Sequence, residues 1–109
     1  CILRQAPLFV GVAFVKGRCG RGREGAVSRA KGDRWRMLDV GAACQPFCLA
    51  AHDAGLGTVI MGIFDEDGIG ELLDIPADRE LGALIAVGYP DIAPEAPKRK
   101  SVDELLTYR

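Results

Sequence analysis

Apolar positions along the chain fall into four blocks, separated by stretches rich in glycine or charge. The first, Pro7 to Val15 (PLFVGVAFV), is short, β-branched and aromatic, and follows a proline. That pattern predicts a strand buried on both faces. The second, from Trp35 to Ala54, is apolar on nearly every side of a helical wheel: Met37, Leu38, Val40, Ala42, Ala43, Cys44, Phe47, Cys48, Leu49, Ala50 and Ala51. A helix apolar all round belongs inside a domain or in a subunit interface. Gly55 stands where a helix-terminating glycine is expected. Pro46 removes one ladder hydrogen bond, at about 3 kcal/mol if unrelieved, so the helix either kinks there or restarts with Pro46 in its first turn.

The third block, Thr58 to Phe64 (TVIMGIF), predicts an extended segment whose glycine admits something close to the backbone. Asp65 to Leu73 opens with acidic residues and closes before Pro76, as a short helix does. The fourth block, Leu81 to Tyr89 (LGALIAVGY), predicts a second buried strand, stopped by Gly88-Tyr89-Pro90. Residues 91–100 read as a proline-rich linker ending in Lys98, Arg99 and Lys100, and Ser101 with Glu104 has the spacing of a capping box that starts a last short helix. Residues 16–34 hold five glycines and seven basic residues with no apolar period, which predicts a flexible loop. Strands and helices in alternation argue one mixed domain of helices and sheet over residues 1–109.

A length of 109 residues allows one domain, and 49% apolar with 27% charged residues excludes disordered, collagenous and coiled-coil classes. No run of eighteen apolar residues is present to cross a membrane. The formal net charge of -1 supplies no field to draw the whole chain onto nucleic acid or an anionic surface. Cys1, Cys19, Cys44 and Cys48 are irregularly spaced and do not form a secreted disulfide framework, which favours the cytoplasm. A first residue of Cys1, with no signal-peptide order after it, reads as a truncated or processed chain.

Candidate chemistry in the side chains is sparse. Cys44, Cys48 and His52 share one helix face, but three ligands spread over about 12 Å are too far apart for one ion, so no metal site is expected. Asp65, Glu66, Asp67 and Glu71 lack the spacing of a calcium loop. The stretch RCGRGREG at 18–25 resembles an Arg-Gly segment that could hold phosphate, but it has no aromatics to stack bases. Gly55-Leu56-Gly57 is not a dinucleotide fingerprint, and the single histidine leaves no supported triad. The absence of an evident catalytic side chain fits an enzyme whose chemistry is carried by a cofactor, or a protein with no chemistry at all.

Residues 39–90, DVGAACQPFCLAAHDAGLGTVIMGIFDEDGIGELLDIPADRELGALIAVGYP, followed by the basic cluster and SVDELL, resemble the C-terminal half of the nitroreductase family. The match lies in the order: a small-residue helix, A-G-L-G-T, an apolar segment with glycine, F-D, L-x-I-P, L-I-A-V-G-Y-P and a late K-x-K. The resemblance implies an N-terminally truncated α+β sandwich of a central mixed sheet and helices, forming an intertwined homodimer through the helix from Met37 to Ala54. It implies FMN at the interface, NADH or NADPH as reductant, and nitroaromatics, quinones or similar small molecules as acceptors. By the same resemblance, Ile60, Met61, Gly62 and Ile63 would line the flavin ring and direct backbone amides at its edge, while Lys98 and Lys100 would contact the FMN phosphate. The family's N-terminal arginine-rich phosphate segment has no counterpart here, and Lys100 in place of arginine lacks the bidentate fork. Two rival readings stand beside it: a noncatalytic dimerising chain without flavin, and, less favoured, a nucleic-acid or anion-binding module working through residues 16–34.

Overall fold

The computed structural model describes residues 5–18 and 32–109. In chain order the elements are strand β1 (Leu8–Val15), a 3-10 turn (Gly32–Arg34), helix α1 (Trp35–Asp53), strand β2 (Gly57–Met61), helix α2 (Glu66–Leu72), strand β3 (Arg79–Gly88) and the single-turn helix α3 (Val102–Leu105). Most of the loop expected over 16–34 lies outside the described residues.

The sheet has the order β1-β3-β2. Both pairings are antiparallel, with Leu8 opposite Val87 and Gly57 opposite Gly88. Among the described strands β3 runs against both neighbours, and the α+β class expected from the sequence is present. Position in the sheet also decides burial. The central β3 is covered on both faces, with Leu81, Ala83, Leu84, Ile85, Ala86 and Val87 all buried. The edge strand β1, expected to be buried on both faces, is largely half-buried because it has only one neighbour.

Helix α1 lies across one face of the sheet and touches all three strands. Its contact residues Val40 and Cys44 form the core with Ala83, Ile85 and Val87, and Val10, Val12, Phe14, Cys48 and Leu56 pack around them. The close approach depends on a bulge. The register moves from Val12 opposite Ala83 to Ala13 opposite Leu81, leaving Gly82 as the extra residue. A Cβ on Gly82 would stand 2.7 Å from Val40 Cγ2, so the helix seats only where that side chain is missing.

Helix α1 is continuous through Pro46 and does not restart there. Ala42, whose carbonyl the proline leaves without its usual amide donor, is exposed, so water can satisfy it. The end of α1 follows the expected glycine signal. Gly55 has φ 78° and donates to the His52 carbonyl at 2.9 Å, while Leu56 donates to the Ala51 carbonyl at 2.9 Å. The same double bond closes α2, where Asp74 donates to Glu71 and Ile75 to Gly70, with Asp74 in the left-handed region at φ 49°.

The all-round burial expected of α1 is not met within the chain. Only Val40, Cys44 and Ala51 are buried, and Met37, Leu38, Phe47 and Leu49 stand exposed on the helix. Every residue from Tyr89 to Arg109 is exposed as well. The radius of gyration, 17.2 Å, exceeds the ~13 Å of a compact domain this long.

Candidate functional site

The end of β2 and the bend after it carry the apolar candidates. β2 stops at Met61, so the extended segment expected to reach Phe64 is shorter by three residues. Ile60 pairs with the fully buried Ile85, yet is itself 48% exposed because β2 is an edge strand. Met61, opposite Leu84, is half-buried, and Ile63 beyond the strand is fully exposed.

Among the described residues nothing calls for a glycine at position 62. Its φ is not left-handed, and a Cβ placed there would meet no atom within 4 Å. Neither backbone conformation nor internal packing calls for glycine at this position. Among the described residues, the N–H groups of Gly62 and Ile63 have no protein acceptor. Ile60 and Ile63 thus flank a short exposed apolar plate that carries two amides without a partner among the described residues' hydrogen bonds.

Immediately after the plate the charge turns negative. Asp65 caps α2, its Oδ1 accepting from the Gly68 N–H at 3.2 Å, and Glu66 and Asp67 occupy the first turn. These carboxylates serve the helix start, which accounts for their spacing without an ion. Their negative charge disfavours an anion at this end of the plate.

The basic candidates lie elsewhere. Lys98 and Lys100 sit on the exposed segment that leaves the sheet after Gly88, at the end of β2 opposite Met61. No hydrogen bond or ion pair among the described residues joins either lysine to residues 60–63. The segment carrying the lysines leaves the sheet beside Gly57, at the far end of β2 from Met61. Just beyond them the expected cap is formed: the Glu104 carboxylate accepts from the Ser101 N–H at 2.8 Å and from its hydroxyl at 3.0 Å. These two bonds hold the Glu104 carboxyl below its ordinary pKa.

Sequence reasoning missed the cluster at the start of α1. The Arg36 guanidinium lies 5.0 Å from the Phe14 ring centroid and 3.7 Å from a Glu80 oxygen, linking helix, β1 and β3. No sequence period marks a contact among residues so far apart. Cys44 and Cys48 are free thiols, and no group of three metal-ligating side chains occurs among the described residues. No described helix is long and apolar enough to cross a membrane.

The nitroreductase family model matches residues 1–89, and the chain belongs to the nitroreductase family. Among solved structures it is similar to a nitroreductase family protein from Streptococcus pneumoniae, at 34% identity and TM-score 0.64 over 67% of this chain and 36% of that one. A nitroreductase family protein from Clostridium difficile shares the fold at TM-score 0.72 and 24% identity, covering 95% of this chain and 60% of that one. An NADPH:FMN oxidoreductase from Vibrio harveyi, solved with NAD+, matches at 29% identity and TM-score 0.58, over 65% of this chain and 32% of its own. The chain thus spans between about a third and three-fifths of these proteins' lengths.

Proposed function

We propose that this chain takes part in an FMN-dependent NAD(P)H oxidoreductase of nitroreductase type, acting on nitroaromatics, quinones or similar small acceptors in the cytoplasm. The observation that carries the reading is the plate at 60–63. Its exposed isoleucines, unpaired amides and unexplained glycine suit a flat, largely apolar ring with acceptor atoms along one edge. Bound FMN would supply hydride transfer, the step for which the chain's own side chains offer no acid, base or nucleophile.

The residues divide the binding work by chemistry. Ile60 and Ile63 exclude water from the ring, and the Gly62 and Ile63 amides orient it and stabilise charge on its edge. Lys98 and Lys100 supply positive charge for the phosphate, which the acids at 65–67 disfavour at their end of the plate. The segment from Gly88 to Lys98 is ten residues long, so its ~35 Å extended reach spans the length of β2 or crosses to a second subunit. The relationship to the Vibrio harveyi NADPH:FMN oxidoreductase supports both FMN and a nicotinamide reductant. Free thiols at Cys44 and Cys48 agree with a reducing compartment.

The partner in this reading is a second copy. The exposed apolar side of α1, carrying Met37, Leu38, Phe47 and Leu49, is the kind of surface that homodimers bury. FMN titration followed by flavin absorbance and size-exclusion mass tests the whole proposal. Saturable binding to a dimer, weakened in Lys98→Ala/Lys100→Ala, is the expected result. A folded dimer that binds no FMN would instead establish the noncatalytic dimerising reading.

A further inference from the structure

Among the described residues, a pair of thiols that the flavin reading leaves unused lies under α1. Cys44 and Cys48 stand four residues apart on the same helix, and both turn toward the sheet: Cys44 belongs to the buried core and Cys48 packs against it, half-buried. They do not share the exposed side of α1 with Met37, Leu38, Phe47 and Leu49. Burial first, and then the neighbouring Cys48, push the Cys44 thiol up, as expected of two sulfurs in one small apolar space.

Helix geometry decides what such a pair can do. Side chains four apart have Cβ atoms about 5–6 Å from each other. A disulfide needs them at about 3.5–4.5 Å, so an intact α1 keeps both sulfurs as free thiols. Two thiolates on opposite sides of one ion, at a metal–sulfur distance of about 2.3 Å, stand about 4.6 Å apart. Cβ atoms about 5–6 Å apart, each bearing a rotatable thiol, allow that sulfur separation without unwinding the helix.

The surroundings select the charge of the guest. No charged or polar side chain is buried in the described structure, so a site opening into this core favours a neutral complex. Two thiolates neutralise one divalent ion, and no third ligand stands nearby: no group of three candidate ligands occurs among the described residues, and His52 is exposed at the helix end. We propose that Cys44 and Cys48 form a two-sulfur clamp for a soft divalent ion that accepts two ligands in a line, with mercuric ion as the type case. On binding, each thiol gives its proton to solvent and both sulfurs keep their oxidation state. Entry is from the half-buried Cys48 side.

The test uses the full chain with Cys1→Ser and Cys19→Ser, so that the remaining thiols are the two in question. Mercuric ion is titrated anaerobically while the sulfur-to-metal charge-transfer absorbance and proton release are followed. One equivalent bound per chain with two protons released is expected, and this should be lost in Cys48→Ala while His52→Ala leaves it unchanged. Cys44→Ala should behave as Cys48→Ala does, with circular dichroism checking that the core survives. If Cys44→Ala does not fold, Cys48→Ala at the half-buried position decides alone. Binding of the same stoichiometry and proton count after Cys48→Ala, no uptake at all, or loss of uptake in His52→Ala would each overturn the clamp. These readouts do not involve flavin, so the clamp and the oxidoreductase reading fail separately.

Discussion

Strand β3 and the segment that follows it are continuous in sequence and opposite in circumstance. β3 is buried by its own chain on every side, with β1 and β2 along its edges and α1 against one face. From Tyr89 onward large apolar residues continue, including Ile92, Val102, Leu105, Leu106 and Tyr108, but each is exposed. Apolar content alone therefore does not say what buries a residue. What separates the two regions is supply: β3 finds its covering within residues 5–88, whereas the later segment and the outer side of α1 find none among the described residues.

The sharpest way to break this contrast is at its centre. Ile85→Ala removes the one large side chain that is fully buried among the described residues and should cost about 2–5 kcal/mol. Against the ~5–15 kcal/mol that stabilises a typical domain, chemical denaturation should show a large loss. A loss below about 1 kcal/mol would mean that the sheet collapses around the cavity and that β3 is not the anchor described.

The second test changes the exposed region. Leu105→Ser with Leu106→Ser should leave the unfolding free energy of the monomer within about 0.5 kcal/mol, because neither side chain is buried by its own chain. In the proposed dimer the same variant should lower the dimeric fraction seen by sedimentation. Destabilisation of the monomer comparable to that of Ile85→Ala would erase the distinction between the two regions.

The smallest effect sharpens the picture at α3. Glu104 has a folded-state pKa below its ordinary value, because the carboxylate accepts from the Ser101 N–H and hydroxyl. Its contribution is therefore present above the ordinary carboxylate range and is lost as pH falls through the lowered folded value. The Ser101 amide resonance should shift over that acidic window, and Glu104→Gln should flatten the shift. An unaltered pH response in Glu104→Gln would assign it to another group.

What was legible in the sequence follows the same division. The three strands, the Gly55 terminus, the Asp65 start and the Ser101–Glu104 cap all rest on neighbours in the chain, so local pattern placed them within a few residues. Pairing order, the bulge at Gly82 and the Phe14–Arg36–Glu80 contact arise between distant residues, and no local period encodes them. Apolarity marked α1 as a burying element without telling which side its own sheet would take. For the candidate site, sequence identified a glycine amid apolar residues at 60–63, while the structure added the free amides and open space around it. The end of β2 at which the chain leaves β3, beside Gly57, follows from strand pairing and is not encoded locally.

The sheet order carries a consequence for how the protein is made. β1 is the first described strand to leave the ribosome, and its sole partner is the last, since Leu8 meets Val87. At about 5–20 residues per second, β1 waits several seconds for β3 to emerge. β2 waits on the same strand, so the sheet closes in one late event and both early strands spend synthesis with unpaired edges.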